Sequence, residues 1–421
     1  MPANFTAKTL MHPNVVAFEA CASYNRVARM VREGCAMIVS EPEKKVIADR
    51  EELRLEDIFE KTIYHFLEPV GEFLRDPTVT EVMINGYNEV YIERKGQLIL
   101  TDARFPTEAA LMAAVRNMLQ FVGKRLNPDI PMMDARLPDG SRVHVAMHPC
   151  SRRGTVVTIR KFSREAFDMD FLVRTRSISE LARDFLQLCM ITEKNMLISG
   201  GTSSGKTSLL NVLSEYVPDD RRIVVIEESG ELQLKQPHVI SLEARSPDRY
   251  GRGEVTIREL FKNSLRMRPD RVIVGECRGG EALDMIQAMT SGHAGSVTTL
   301  HADSPADSLN RLETLALMSN VDIPLAALRS QVASAIHVIV QMMRFQDGGR
   351  RVVQIAQALP LDARGQYQTE DLFVLRLPEG ERELAKASLE WTGTKIAFRK
   401  EVTVQSAIAN LPSLEPLVAD K

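Results

Sequence analysis

Four groups of residues have types and spacings suited to chemistry on a phosphate. Gly200-Gly201-Thr202-Ser203-Ser204-Gly205-Lys206-Thr207 fits G-x-x-x-x-G-K-[ST], a phosphate-binding loop. Met196-Leu197-Ile198 before it reads as a buried strand, and Ser208 to Leu213 after it as a helix with an apolar face, which is the context the motif needs. Gly201 and Gly205 are expected to let the backbone curl so that N–H groups face phosphate oxygens. The start of the helix adds its partial positive charge. Gly200 through Ser208 should therefore bind a nucleotide, with Lys206 reaching the β- and γ-phosphates and the Thr207 hydroxyl helping to hold Mg²⁺.

The other three groups are polar residues at strand ends. Ile223–Ile226 runs into Glu227-Glu228, with Glu231 three residues on; Arg271–Gly275 runs into Glu276; Val297–Leu300 runs into His301. Nucleotide hydrolysis needs an in-line water and a held Mg²⁺. A carboxylate just past a strand end can polarise that water or hold the metal through its shell. A histidine there can sense or stabilise a γ-phosphate. Any one of these could be a charged strand cap, but three beside a phosphate loop argue for a site. Where an ordinary P-loop enzyme carries a strand-end Asp, this chain has Gly275, with Glu276 next.

The elements that must position these groups are legible in outline. From 177 onward apolar strands alternate with amphipathic helices, which predicts a mostly parallel sheet covered on both faces. Helices are expected over Ser179–Cys189 and Thr256–Met267, the latter with a Thr256–Glu259 capping box and a stop at Pro269. Another opens at Ser304-Pro305. Strands are expected at Val272–Val274, Val297–Leu300 and Ile336–Val340, then at Val352–Ala356, Leu372–Arg376 and Ile396–Phe398. In such sheets ligands bind at the carboxyl ends of the strands, so the acidic and histidine groups can converge on the phosphate loop.

The N-terminal side has a different texture. Residues 1–45 read as a helical or partly disordered extension, and 46–75 as amphipathic helices with Leu53, Leu55, Ile58, Ile63, Phe66 and Leu67 at helical spacing. Residues 76–165 read as a separate α+β domain: a β-meander over Glu81–Leu100, a helix from Thr107 to about Val122, and strands at Arg142–Met147 and Thr155–Lys161. Residues 166–176 read as a linker, and 177–421 as the larger α/β domain with a C-terminal β/α appendage. Arg136, Arg142 and Arg160 are either solvated strand edges or contacts to an anion, since a planar guanidinium suits bidentate phosphate binding.

Composition narrows the class. The 421 residues are 44% hydrophobic and 26% charged, a balance that can fill real cores. A net charge of −3 gives no basic field, which argues against nucleic acid as a partner. The five cysteines are scattered without metal-ligand spacing and read as buried thiols in a reducing compartment. No apolar run reaches the ~18 residues of a membrane span, and no signal-peptide core is visible. The expectation is a cytoplasmic protein.

Taken together, the phosphate loop, the acidic box Ile226–Leu232, the glycine-substituted strand end at Gly275-Glu276 and the histidine box Thr299-Leu300-His301-Ala302 resemble the secretion ATPases of type II and type IV systems and type IV pili (the GspE/PulE-like superfamily). Within it the chain is most similar to the CpaF-like ATPase of tight-adherence (Tad/Flp) pili, through Glu81–Gly86, Val90–Gly96, Asp134–Val143, Gly253–Arg258, Arg266–Glu276, Arg278–Asp284 and Gly292–His301. The resemblance implies a RecA-like P-loop ATPase domain, a smaller N-terminal α+β (PAS-like) domain and a homohexameric ring. It implies ATP and Mg²⁺ between the two domains. Arg142 and Arg160, with Arg136, would contact phosphates. Glu276 and Glu227 would be the catalytic carboxylates and His301 the γ-phosphate sensor; Lys206 would be the phosphate-loop cation. Thr207, Glu228 and Glu276 would serve the metal. The ring would push on inner-membrane platform proteins from the cytoplasmic face, without nucleic acid, to assemble or retract a pilus or to secrete protein. A nucleic-acid translocase and a nucleotide-gated scaffold are the competing readings. Two departures stand out: Glu227-Glu228 where the family usually has Glu-Asp, and Asp303 where it usually has Asn.

Overall fold

The computed structural model describes residues 65–94, 96–162, 168–247, 251–377, 386–399 and 411–418. The expected extension over 1–45, and Leu53, Leu55, Ile58 and Ile63 of the expected helices, lie outside them. A short 3₁₀ turn, Glu68–Val70, and a helix, Gly71–Arg75, open the described chain, with Leu67 and Val70 buried.

Two sheets follow. The first is antiparallel: β1 (Val79–Asn85), β2 (Val90–Arg94), β3 (Gln97–Leu100), β4 (Met132–Arg136), β5 (Arg142–Ala146) and β6 (Val156–Arg160), in the order β3-β2-β1-β6-β5-β4. Alternate residues turn inward (Val82 and Ile84, Val143 and Val145, Val157 and Ile159), the period-two signature of a sheet with one buried face. The helix Glu108–Phe121 starts where Thr107 accepts from the Ala110 N–H, and it buries Leu111, Val115 and Met118 along one stripe. β4 was not anticipated, because Met132-Met133-Asp134-Ala135-Arg136 has no β-branched residue to signal a strand.

The second sheet has nine strands: β7 (Met196–Gly200), β8 (Ile223–Glu227), β9 (Val239–Glu243), β10 (Arg271–Val274), β11 (Val297–Leu300), β12 (Val338–Arg344), β13 (Arg350–Leu359), β14 (Gln368–Arg376) and β15 (Ser388–Trp391). Their order is β15-β14-β13-β12-β7-β11-β10-β8-β9, parallel from β12 to β9 and antiparallel from β12 to β15. β7, β8, β10 and β11 are buried along their whole length, as parallel strands covered on both faces must be. Successive side chains divide between two cores: Met196, Ile198, Ile223 and Val225 pack with Phe185, Leu209 and Phe373, while Leu197, Val224 and Ile226 pack with Ile286, Leu312 and Leu328. Each such side chain contributes roughly 1.5–3 kcal/mol by leaving water.

The capping box is present as expected: Thr256 Oγ1 accepts from Glu259 N, and the Glu259 carboxylate accepts from Thr256 N. Three features depart from the sequence reading. The stretch read as a linker carries a helix, Met169–Arg174, capped by the Asp168 carboxylate and anchored by buried Met169. Ile396–Phe398 forms no strand; the two residues plug the first core, and the edge strand is Ser388–Trp391. β9 was missed because it is an outer strand, only half buried. Among the described cysteines, Cys189 and Cys277 are buried as expected, whereas Cys150 is exposed. Among the described residues no helix is long and apolar enough to cross a membrane.

Candidate active site

β7 delivers the phosphate loop. Gly200 has φ +152°, and a Cβ there would lie 2.3 Å from the Met342 carbonyl oxygen on β12 and 2.7 Å from Ser204 Oγ. Gly205 has φ +95° and immediately precedes the helix Lys206–Ser214. Gly201 has neither a left-handed φ nor any atom within 4 Å of its would-be Cβ. The curl expected at Gly201 and Gly205 therefore falls on Gly200 and Gly205, because the strand end presses against β12. Thr202, Ser203 and Ser204 form the tip, with Ser203 at φ +57° and the Ser204 hydroxyl buried without a hydrogen-bond partner. Thr207 and Ser208 occupy the first helical turn. Lys206, 7% exposed, donates from Nζ to the carbonyls of Gly200 (2.9 Å) and Gly201 (2.8 Å). Burial pulls its pKa down, and the nearby Glu276 carboxylate opposes that.

The strand-end residues converge as the topology requires. Glu276 follows β10; its Oε1 lies 3.0 Å from His301 Nε2, and its Oε2 accepts from Arg278 Nη2 at 2.8 Å. Burial alone would raise the Glu276 carboxyl, but Arg278, His301 and Lys206 together hold it below the usual carboxylate range. Burial, and after it the Lys206 charge, lowers the pKa of His301, while the Glu276 carboxylate pulls it the other way. The other amino group of Arg278, Nη1, donates to Glu228 Oε2 at 2.7 Å. Arg278 is the site residue that the sequence reading missed. Its signal was a cation two residues past an acidic strand end.

Glu227, the last residue of β8, is 5% exposed and accepts at Oε1 from the N–H groups of Glu231 (2.8 Å) and Leu232 (3.0 Å). A Cβ on Gly275 would lie 2.9 Å from Glu227 Cγ. The glycine in place of the usual strand-end Asp is thus the space that the Glu227 side chain occupies. Burial pushes Glu227 up from 4.5 to about 7. A carboxyl raised on folding contributes stability that is present at low pH and is lost as pH rises through 7. Glu227→Gln cannot ionise. It should come closest to the wild type at about pH 4, below the unfolded pKa, and be more stable at pH 8, by up to about 3 kcal/mol, in urea denaturation. A stability difference that does not change with pH would contradict this assignment.

The arginines divide. Arg142 Nη2 donates to Ser229 O at 2.8 Å and lies 3.0 Å from Glu231 Oε1. Arg136 pairs with Glu243 at 2.9 Å and donates to Gly230 O. Both therefore grip the loop that holds Glu227. Arg160 faces Arg142 and Glu81 in register on the same sheet, and its charge reaches Arg350 of β13. Arg350 in turn has Cδ 3.4 Å from a would-be Cβ on Gly205. A second tie between the sheets runs from Arg344 Nη2 to Glu93 Oε1 and Gly96 O, each at 2.8 Å.

Among the described residues no group of three or more histidine, cysteine or carboxylate side chains forms a metal cage. Glu276 and Glu228 nevertheless reach one positive centre, the Arg278 guanidinium. That arrangement fits Mg²⁺ brought in by a nucleotide, which needs only one or two protein oxygens besides phosphates and water. Thr207, Glu228 and Glu276 are the groups that would hold it.

Residues 65–368 match the family described as "Type II/IV secretion system protein". The chain is 32% identical over 316 residues to the type IV secretion system protein PtlH of Bordetella pertussis, covering 69% of this chain and 93% of that one. It is 31% identical over 301 residues to the conjugal transfer protein TrbB of Rhizobium radiobacter, covering 70% and 88%. In fold it is similar to the Yersinia pseudotuberculosis ATPase DotB, with a TM-score of 0.50 at 16% identity over 73% of this chain and 80% of that one.

Proposed function

We propose that this chain, which belongs to the type II/IV secretion system protein family, is a motor ATPase that hydrolyses ATP to drive a secretion or pilus machine. The observation that carries the reading is the convergence of Glu276, His301 and Lys206 at the ends of adjacent parallel strands and the phosphate loop. Lys206 exchanges its two carbonyl partners for the β- and γ-phosphates. Glu276 orients the attacking water, and His301 senses the γ-phosphate. Mg²⁺, when bound, neutralises charge on the phosphate oxygens. Arg136 and Arg142, on the N-terminal sheet, report the nucleotide state by exchanging contacts between the acidic loop and the phosphates, and Arg160 beside Arg142 adds a further phosphate contact.

The chain works as a homohexamer at the cytoplasmic face of the inner membrane, bound through platform proteins rather than by insertion. The machine it serves is a Tad-type pilus, a reading supported by the segments that resemble the CpaF-like ATPase. Mass photometry of the full chain with a non-hydrolysable ATP analogue and Mg²⁺ tests the ring. A hexamer is expected, and a monomer with full turnover at micromolar concentration would overturn it.

A further inference from the structure

Arg278 is placed as a fixed arm with a free hand. Its backbone N–H and that of Gly279 both donate to the buried Glu281 carboxylate, at 2.7 and 2.8 Å. Two residues on, Gly280 packs so closely that a Cβ would lie 2.7 Å from Ser319 Cα. The main chain at this point is therefore pinned from two sides. The side chain, in contrast, is 59% exposed and has room to turn. Its guanidinium reaches Glu276 Oε2 and Glu228 Oε2 at once, and Glu231 adds a third negative charge nearby.

This is one cation shared between a carboxylate read as hydrolytic and one read as metal-serving. A bidentate guanidinium is well matched to two carboxylates. We propose that Arg278 is a positioning residue that occupies the place of the metal's charge in the nucleotide-free protein. It holds Glu276 and Glu228 together and keeps them from binding a free divalent cation. The metal–nucleotide complex then displaces the guanidinium from at least one of them, so the carboxylates are released only when nucleotide arrives. The inference rests on the reading of Glu276 and Glu228 given above.

The test is Mn²⁺ binding to the nucleotide-free full chain, read as loss of the free-ion electron paramagnetic resonance signal. Arg278→Gln removes the cation and leaves both carboxylates. It should bind Mn²⁺ about tenfold more tightly than the wild type, the effect of losing two partly exposed ion pairs. Arg278→Lys keeps a positive charge but loses the planar fork, so its gain in affinity should be clearly smaller, about two- to threefold. A merely structural role for Arg278 predicts no gain in metal affinity. Equal Mn²⁺ affinity in the wild type and Arg278→Gln, or an equal gain in Arg278→Lys, overturns the proposal. The readout needs no ATP turnover, so a chain that failed to hydrolyse ATP would sink the proposed function while leaving this measurement decisive.

Discussion

Glu276→Gln is expected to lower the rate of ATP hydrolysis by about 10²- to 10⁴-fold while leaving nucleotide affinity within a few-fold of the wild type. The substitution keeps the volume of the side chain and leaves an oxygen for Arg278 to donate to. What it removes is the negative charge that can accept a proton from, or orient, the attacking water. Glu276 is suited to that role because it is held ionised: Arg278, His301 and Lys206 outweigh its burial. The check is steady-state phosphate release beside equilibrium binding of a fluorescent ATP analogue. A variant that keeps wild-type turnover would take Glu276 out of the chemistry.

Lys206→Ala should cost about 10²- to 10³-fold in kcat, the usual loss on removing one preorganised donor to developing charge. It should also weaken nucleotide binding. Lys206 is almost fully buried at the start of a helix, with both its hydrogen bonds made to the loop it must later leave. Removing it strips the phosphates of a cation and orphans the carbonyls of Gly200 and Gly201, at about 1–3 kcal/mol for each that stays dry. Circular dichroism melting separates the two effects. The melting temperature should fall modestly, and turnover should show the full loss of about 10²- to 10³-fold even where the protein is fully folded. A folded Lys206→Ala protein with normal kcat would contradict the assignment.

The parts of this site that could be read in advance are those carried by short, local signals. Apolar runs ending in Glu227, Glu276 and His301 marked strands whose carboxyl ends share one edge, and the structure pairs β8, β10 and β11 in parallel there. The Thr256–Glu259 cap was legible because it is a contact between residues three apart. The meaning of Gly275 was not legible, since it depends on the Glu227 side chain arriving from another strand. Arg278 was passed over because its two partners lie 2 and 50 positions away, and the distant one cannot be found from sequence spacing. Arg136 and Arg142 read either as solvated strand edges or as contacts to an anion; the structure pairs them with the loop after Glu227 and with Glu243, which needs the fold of both sheets. Ile396 and Phe398 failed for a simpler reason: a short apolar run serves equally as a strand or as a plug in a core.

Two ties join the N-terminal sheet to the nine-stranded one. Arg142 and Arg136 hold the loop after β8, and Arg344 holds the β2–β3 turn from the hairpin beside the phosphate loop. The first ends within a few residues of Glu227, and the second starts two residues past Met342, whose carbonyl abuts Gly200 of the phosphate loop. The N-terminal sheet is thus linked to the surroundings of the site by ion pairs and side chain-to-backbone hydrogen bonds. Such contacts can be exchanged one at a time at a cost of about 1 kcal/mol each when partly exposed.

The most direct test of the central claim is phosphate release by the purified full chain supplied with ATP and Mg²⁺, run beside Glu276→Gln at saturating nucleotide. Steady release is expected from the wild type and, from Glu276→Gln with ATP bound, a rate lower by at least about 10²-fold. Equal release by the two proteins, or none by a wild type that binds ATP, would contradict it.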